Sequence, residues 1–379
     1  MAYPASDSLA SYDNTAKRLD LSPVLSAMLM TDTATLGVIG MGENVMGRTH
    51  YFNEDSLNAP TIQAAEALDD SETAFDIDDA SKLLVGTLLM DMANGKQEVL
   101  LVTAISSNAL TVTRGYGSTD AEAHDDDAVF AVIGAALPEG DETIADYSKA
   151  RTQVTLYTQI FKSTVKVSGS AEAEAANGLH PGIPSEMRLQ MMRRTDELKV
   201  QLNRAILNSV ISAAASDSVG QTMKGLREFL VKTSSANVNT TAEALSEQVV
   251  NDLYQAAWED GGNPETLIGH ADQITKFGTF NAQRLRVGPS DKVAGVFVSH
   301  YLTSIGQQIA LITDRWMKSD EVALIEKSKV FFCPMKGRTL FAEPLARVGD
   351  AMRWQILMEG CLKVLNAAQA HAYHTALSV

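Results

Sequence analysis

The longest periodic pattern in the chain joins a predicted strand to a predicted helix between residues 155 and 215. Apolar and polar residues nearly alternate over 155–168, which favours a strand on a pleated sheet surface. A cluster of Gly, Asn and Pro at 169–184 interrupts the pattern. Ser185 then stands in the position of a helix N-cap, and apolar residues recur at helical spacing with no Gly or Pro before Gly220. The pattern predicts one amphipathic helix of about eight turns, roughly 43 Å long.

The polar positions of this predicted helix carry several cations. A face that is solvated or pairs with neighbouring molecules is expected opposite an inward stripe of Met and Leu. The charged residues expected on that outer face are Arg188, Arg193, Arg194, Glu197, Lys199 and Arg204, of which Arg188, Arg193, Arg194 and Lys199 are the candidate contacts. A long core helix explains the same pattern without any interface. The helix therefore predicts a rigid support and makes these cations candidate contacts.

Short strands with their own turns fill residues 78–135. Asn94-Gly95 is a strong hairpin signal between the first two of them. Four strands joined by Gly and Asn turns favour a compact barrel-like or tongue-like insertion that folds independently. The predicted strands are residues 82–92, 98–105, 110–114 and 128–135.

Helices alternate with strands after residue 241. The pattern predicts a helix capped by Thr240 or Thr241 and ended by Gly261-Gly262, then the strand NPETLIGH, the helix ADQITKFGTFNAQRL and two more strands. This alternation favours an α/β or α+β domain of about 110 residues. Three apolar segments, KVFFCPM, AMRWQILMEGCLKVL and AHAYHTAL, are predicted strands that close the fold.

One segment has the glycine spacing of a phosphate-binding loop. Residues 42–49 read GENVMGRT, but Arg48 replaces the lysine that reaches the β- and γ-phosphates. In that interpretation Asp314, at the end of QIALITD, would hold magnesium. Glu43 would lie inside the anion site, and the residues that follow do not continue as an amphipathic helix. A glycine-rich connector is the favoured interpretation, with a P-loop-like nucleotide hydrolase as an alternative.

Two groups of histidines match metal sites only in part. His124 precedes three aspartates at 125–127, but consecutive carboxylates on a loop are typical of a solvated cap. His371 and His374 are three residues apart and have no third ligand nearby in the sequence. No nucleophile elbow, Cys-x-x-Cys pair or dinucleotide fingerprint is present. The sequence therefore predicts no enzyme, no cofactor and no metal.

Charge is concentrated in one region. Between Glu54 and Asp146 there are 20 Asp and Glu against Lys82, Lys96 and Arg114, a balance of −17, whereas the other 27 acids and 28 bases give +1. Such an acidic surface repels phosphate backbones, which argues against a protein that reads DNA sequence. This charge is compatible with a protein that encloses nucleic acid without binding it tightly.

The ends and the cysteines bear on location. The N-terminus has no apolar segment of a signal peptide, and no run approaches the roughly 18 apolar residues that cross a bilayer, so neither export nor membrane insertion is expected. Residues 1–45 are polar except for LSPVLSAMLM at 21–30, which predicts an extended arm with a short helix that packs on another subunit or on its own body. Cys333 and Cys361, the two cysteines, suit the core of a cytoplasmic protein, and a single disulfide between them stays open.

Several of these segments together resemble a known family. The run YTQIFKSTVKVSGSAEA, the helix SEMRLQMMRRTDELKVQLNRAILN and the later GLREFL look like the major capsid proteins of tailed phages with the Hong Kong 97 fold, in the SU-ten branch. RGYGST is similar to the β insertion in the extended loop of that branch. Asp314-Arg315, Leu345-Ala346 and Gly349-Asp350, with Glu359 and Asn366-Ala367, resemble its C-terminal pattern.

The resemblance implies an α+β Hong Kong 97-type fold. Its expected parts are an N-terminal arm (1–45), an extended loop with the acidic β insertion (46–150), a peripheral domain with the long spine helix (151–235), an axial α/β domain (236–345) and C-terminal closing strands (346–379). Arg315 and Trp316 join the four helix cations as candidate intersubunit contacts.

The resemblance also implies a function and partners. It indicates a major capsid protein that assembles through hexamers and pentamers into the icosahedral head of a tailed phage and encloses double-stranded DNA without reading its sequence. Scaffold, portal and decoration proteins are further implied partners, with no membrane, in a virion capsid assembled in the host cytoplasm. A tail or decoration protein of the virion is the second alternative.

Overall fold

The structure is a computed structural model that divides into two units. It describes residues 31–55, 57–58, 60–80, 83–92, 96–137, 139–140, 148–173, 185–214, 219–232, 237–280 and 300–378. One unit comprises Met1–Phe52 with Val154–Val379, and the other comprises Asn53–Gln153. The larger is called the main unit below and the smaller the barrel unit.

Helices and strands both contribute to the main unit. Its helices are α1 (Ala34–Val38), α2 (Gly169–Ala173), α3 (Glu186–Asn208), α4 (Glu247–Glu259), α5 (Ala271–Ile274) and α6 (Phe277–Phe280), with a π turn at Glu228–Lys232 and a 3-10 turn at Lys327–Lys329. The strands of the chain are β1 (Gly40–Met41), β2 (Thr49–Glu54), β3 (Thr61–Gln63), β4 (Ala74–Asp76), β5 (Thr87–Asp91), β6 (Val99–Ser106), β7 (Ala109–Thr113), β8 (Val129–Ala135), β9 (Thr152–Tyr157), β10 (Gln159–Ser168), β11 (Val238–Asn239), β12 (Thr266–Gly269), β13 (His300–Leu302), β14 (Gln308–Thr313), β15 (Val322–Ile325), β16 (Val330–Pro334), β17 (Phe341–Leu345), β18 (Ala351–Val364) and β19 (Ala372–His374). Strands β2 and β9 pair with each other.

The first sheet of the main unit supports the long helix. Its strands run in the order β1-β16-β18-β10, and β17 also pairs with β18. All ten residues of β10 pair with β18, from Gln159 opposite Gly360 to Ser168 opposite Ala351. One face of β10 is buried because alternate residues such as Phe161 and Val165 point inward. The strand predicted at 155–168 is confirmed over 159–168 only, because residues 155–157 belong to β9, which pairs with β2.

Helix α3 starts where the sequence predicts but ends earlier. Ser185 is its N-cap, and the Ser185 hydroxyl accepts a hydrogen bond from Arg188 N at 3.2 Å. The helix stops at Asn208, about 34 Å from its start, so the prediction of eight turns was wrong. Beyond it the chain is extended and Ser212 pairs with Thr222. This local pairing competes with helix continuation, for which β-branched residues have low propensity.

The second sheet has the order β11-β19-β15-β12-β14-β13. Strand β12 pairs with β14 in parallel and with β15 in antiparallel, so the sheet is mixed, as the alternation of helices and strands indicated. Helix α4 packs its Val250, Leu253 and Tyr254 into the core of this sheet. Its N-cap is Ser246 rather than Thr240 or Thr241, because residue Glu243 is already paired with Leu377 in an extended bridge.

The barrel unit is larger than the predicted insertion. The four strands predicted within 78–135 are confirmed as β5 to β8, but β3 and β4 also join, giving the order β3-β8-β5-β6-β7-β4. Ala64 pairs with Ile77, which connects the two edge strands and closes the sheet into a six-stranded barrel. Closure removes exposed strand edges. Phe75, Leu89 and Phe130 fill its interior.

The glycine-rich segment 42–49 is not a phosphate-binding loop. Gly42 N donates to Phe332 O, and Val45 pairs with Met335, so the segment is extended along β16. A strand, β2, follows at Thr49 where a P-loop requires a helix. The nucleotide-hydrolase alternative is contradicted by this backbone, and the connector interpretation is confirmed.

Some predictions lie outside the described residues. These include the short helix at 21–30, the Asn94-Gly95 turn and the second half of the helix predicted after Ala271. The first half of that helix forms two short helices, α5 and α6. Among the described residues, no helix is long and apolar enough to cross a membrane.

Candidate assembly surfaces

A buried carboxylate connects three parts of the main unit. Asp314 follows β14 and is fully buried. Its Oδ2 accepts hydrogen bonds from Thr35 N at 3.0 Å, Thr35 Oγ1 at 2.6 Å and Asn203 Nδ2 at 2.8 Å. Asn203 Oδ1 in turn accepts from Leu36 N at 2.8 Å. Helix α1, helix α3 and the second sheet therefore meet at one satisfied polar cluster.

The predicted contact residues Arg315 and Trp316 lie beside this cluster. Trp316 is half-buried within its own chain, since the Arg204 guanidinium lies 3.5 Å from the centre of its ring and its Nε1 donates to Asp32 O at 3.2 Å. This stacking is a cation–π contact. Arg315 is exposed. The tryptophan therefore serves the subunit's own packing, and the arginine is the member of the pair at the surface.

The four cations of α3 do not share one face. At about 100° per residue, Arg188 and Lys199 lie within about 20° of each other around the helix axis, whereas Arg193 and Arg194 point well away from both. Arg194 forms an ion pair with Glu197, and Lys199 Nζ lies 3.4 Å from Asp196 Oδ1.

The spread follows from the spacing of the four cations in the sequence, since each residue advances by about 100° around the helix axis. The C-terminal half of α3 is buried on a wide arc that includes Leu202, Asn203 and Leu207. Within the described ranges, no ion-pair partner is found for Arg188 or Arg193. The expected single basic face was wrong, and two separate unpaired cations remain.

Inside the barrel unit, two acids and two bases form a buried network. Arg114 donates to both oxygens of Glu98, Nε to Oε1 and Nη2 to Oε2, each at 2.8 Å. The ring of His124 lies between two carboxylates, with Nδ1 2.5 Å from Asp91 Oδ2 and Nε2 2.9 Å from Glu98 Oε2. Glu98 thus contacts both bases, and His124 contacts both acids.

Hydrogen bonds hold Glu98 ionised despite its burial. Burial by itself raises the pKa of a carboxyl group, but Arg114, the backbone N–H groups of Glu122 and Gly115, and His124 together lower the pKa of Glu98 to about 2. His124 thus points inward, away from the exposed aspartates at 125–127 with which the sequence grouped it. The network joins β5, the residue that precedes β6 and the segment that precedes β8 within the barrel unit.

The outer surface of the barrel unit carries an apolar face. Register places Met90 of β5 opposite Ala131 of β8 and opposite Val99 of β6, and Leu88 opposite Leu101. The outward positions around this register are apolar up to Leu101, beyond which β6 exposes Thr103, and Met90 and Ile133 are 36% and 54% exposed. We call this surface the outer apolar face; its residues are Leu88, Met90, Val99, Leu101, Val129, Ala131 and Ile133. Contiguous exposed apolar surface on an acidic unit is typical of a protein contact.

This face was missed in the sequence, although a signal was present. Strand β8 reads VFAVIGA, which is apolar at both sets of alternating positions, and the outward positions of β5, Leu88 and Met90, are apolar as well. In a strand with one solvated face, apolar and polar residues alternate. A strand with apolar residues on both faces is typically covered by protein on both faces.

The two C-terminal histidines each have partners within the chain. His371 Nδ1 accepts from Glu326 N at 3.1 Å, and its Nε2 contacts Leu365 O at 3.3 Å. His374 Nε2 lies 3.1 Å from Glu243 Oε1. Burial lowers the pKa of His371 to about 4. Within the described residues, no group of three His, Cys, Asp or Glu is placed to hold a metal ion.

Comparison with solved structures defines the class of fold. The cyanophage A-1(L) capsid asymmetric unit matches over 98% of this chain and 99% of its own, with a TM-score of 0.55 at 10% identity. The capsid of a native GTA particle covers 99% and 100%, with a TM-score of 0.53 at 12% identity. A protein of Mycobacterium phage Bobi covers 97% and 98%, with a TM-score of 0.52 at 10% identity. The fold is the α+β fold of phage capsid proteins, of the Hong Kong 97 type.

The sequence places the chain in a family within that class. The model of the SU10 major capsid protein family matches residues 8–378. The chain belongs to this family and is a major capsid protein, as the resemblance of the spine-helix region implied. No curated protein matches the chain.

Proposed function

We propose that this major capsid protein forms hexamers and pentamers that close into an icosahedral phage head. The outer apolar face is the observation that carries the proposal. The barrel unit carries a net charge of −17 over Glu54–Asp146, which favours solubility. Solubility therefore does not explain why one face of three strands is uncharged. Other copies of the chain are its proposed partners, because a shell places many copies side by side.

The cations of the main unit are the second proposed contact. Arg188, Arg193, Arg194, Lys199 and Arg315 offer positive charge to the acidic barrel unit of a neighbouring copy, and the half-buried Trp316 lies next to Arg315 in the sequence. Exposed ion pairs contribute only about 0–1 kcal/mol each, so they set register and salt dependence. The apolar face supplies most of the contact energy, at about 25 cal/mol per Å² of apolar surface buried.

The proposed cargo is double-stranded DNA held without sequence recognition. The excess of acidic residues supports enclosure without sequence recognition, since a protein that binds DNA tightly presents clustered cations. We place assembly in the host cytoplasm and include scaffold, portal and decoration proteins as further partners. No catalytic role is proposed, since the buried carboxylates and histidines described above all serve packing.

A pair of variants tests the role of the outer apolar face. The double variant Met90→Glu/Ile133→Glu places two charges on it, and Thr111→Glu places a charge at an exposed position of β7 as a matched control. We expect wild type and the control to form particles or five- and six-membered capsomers by negative-stain electron microscopy and light scattering. The double variant is expected to stay unassembled with unchanged circular dichroism.

Two results would count against the proposal. Normal shells from the double variant would show that the face is not a contact between copies. A strictly monomeric wild-type protein over a wide range of salt and protein concentration would contradict shell formation itself.

A further inference from the structure

The two cysteines of the chain occupy directly opposite positions in one sheet. The sequence of 379 residues contains only Cys333 and Cys361. Cys333 lies on β16 and Cys361 on β18, and the antiparallel register pairs them with each other. Both are fully buried free thiols. In an antiparallel pair, each residue has one directly opposite residue on the neighbouring strand. For each of the two cysteines, that opposite residue is the other cysteine.

The register of this pair places the two Cα atoms within the range of a disulfide. Two residues further along, Met335 N donates to Glu359 O at 2.8 Å, which makes the cysteine pair a hydrogen-bonded position of the ladder. Cα atoms at such positions are about 5.5 Å apart, within the range of about 4.4–6.8 Å found across disulfides. Opposite residues also point to the same face of the sheet. The Cβ atoms of directly opposed residues are about 4.5–5.5 Å apart and those of a disulfide about 3.5–4.5 Å, so a small approach of the two strands accompanies bond formation.

The surroundings of the pair are closed. The backbone of Gly42 approaches Cys333 so closely that a side-chain carbon at Gly42 would lie 2.6 Å from Cys333 Sγ. Burial raises the pKa of the Cys361 thiol to about 12. Thiolate is the attacking form, so reaction requires local opening of the strands and is slow. A bond formed there is equally protected from reductants.

We propose that Cys333 and Cys361 form a cross-strand disulfide that locks β16 to β18 when the protein meets a small-molecule disulfide. The thiolate of one cysteine attacks the small disulfide, whose S–S bond breaks, giving a mixed disulfide and one free small thiol. The second cysteine, after losing its proton, attacks the mixed disulfide and releases the second small thiol. The protein loses two electrons, and its two protons go to the released thiols.

The timing of this oxidation rests on the proposed function, whereas the chemistry does not. A capsid assembled in a reducing cytoplasm keeps both thiols, and a released particle enters an oxidising environment. The lock would close a loop of about 30 residues, which strengthens the sheet after assembly.

The test uses unassembled protein and oxidised glutathione, so failure of shell formation does not affect it. Wild type and Cys361→Ala are incubated with oxidised glutathione in mild urea, then alkylated after full denaturation. We expect wild type to lose about 2 Da, take up no alkyl groups and yield a peptide linking the two cysteines. The single-cysteine variant is expected to gain one glutathione, about 305 Da, which shows that the reagent reaches the site.

Thermal unfolding provides the second measurement. The oxidised wild type is expected to melt about 5 °C above the reduced form, and this gain should vanish on reduction. Glutathione adducts or linked chains in place of the internal bond would overturn the proposal. An internally oxidised protein that melts below the reduced form would overturn it as well, because the native register would then not accommodate the bond.

Discussion

Asn203 Nδ2 donates a hydrogen bond of 2.8 Å to Asp314 Oδ2, joining the long helix α3 to the end of strand β14. The same oxygen accepts two hydrogen bonds from Thr35 at the start of α1. A single carboxylate oxygen thus connects three elements: the start of helix α1, the spine helix α3 and the second sheet.

Removing this carboxylate should destabilise the main unit. Asp314→Ala leaves the donors of Thr35 and Asn203 buried without an acceptor, which we expect to lower the free energy of unfolding by about 3 kcal/mol. Asp252→Ala, at an exposed position of α4, is the control and should change it by less than about 0.5 kcal/mol. Urea unfolding followed by circular dichroism measures both. Equal midpoints for the two variants would show that the cluster contributes little.

Disrupting the buried network of Glu98, Arg114, His124 and Asp91 should destabilise the barrel unit locally. Glu98→Gln removes the charge that compensates Arg114, and breaking a buried pair in this way typically costs about 3 kcal/mol or more. Glu139→Gln, an exposed acid in the same unit, is the control. Hydrogen exchange should rise across residues 53–153 in the first variant and stay unchanged in α3. A rise of equal size in α3 would contradict the independence of the barrel unit.

The buried His371 predicts acid sensitivity of the main unit. Its folded pKa of about 4 lies below the ordinary 6.5, so the unfolded chain binds the proton first and stability is lost as pH falls through this window. The full shift corresponds to about 3 kcal/mol. His371→Asn keeps an acceptor for Glu326 N and removes the titration. The difference in unfolding free energy between wild type and variant should shrink or reverse from pH 7 to pH 4, whereas a constant difference would exclude this role.

The extended conformation of residues 42–49 predicts no response to nucleotides. Gly42 and Val45 are bonded to β16, so their N–H groups are not arranged around an anion. ATP or GTP at millimolar concentration with magnesium should leave the melting temperature unchanged. A nucleotide whose Kd is one hundredth of its concentration would raise the free energy of unfolding by about 2.7 kcal/mol, and the melting temperature with it. Arg48→Ala serves as a comparison and should behave the same. A magnesium-dependent rise in wild type alone would contradict the connector interpretation.

The sequence by itself determined the elements whose patterns are local. Alternation in 159–168, the N-cap at Ser185 and the turn-bounded strands of the barrel unit depend on neighbours a few residues away, and each was predicted correctly. The family resemblance was also present in a contiguous stretch around α3. These features need no knowledge of distant contacts, because propensity and periodicity act within one element.

The tertiary structure decided what depends on residues far apart in the chain. The end of α3 is set by pairing of Ser212 with Thr222, and the barrel closes only because Ala64 meets Ile77. His124 appeared to belong with its acidic neighbours in sequence, yet it binds Asp91 and Glu98. The opposition of Cys333 and Cys361 is likewise a matter of strand register, 28 positions apart in the chain. Such pairings arise from the balance of burial and hydrogen bonding over the whole fold, which no local pattern specifies.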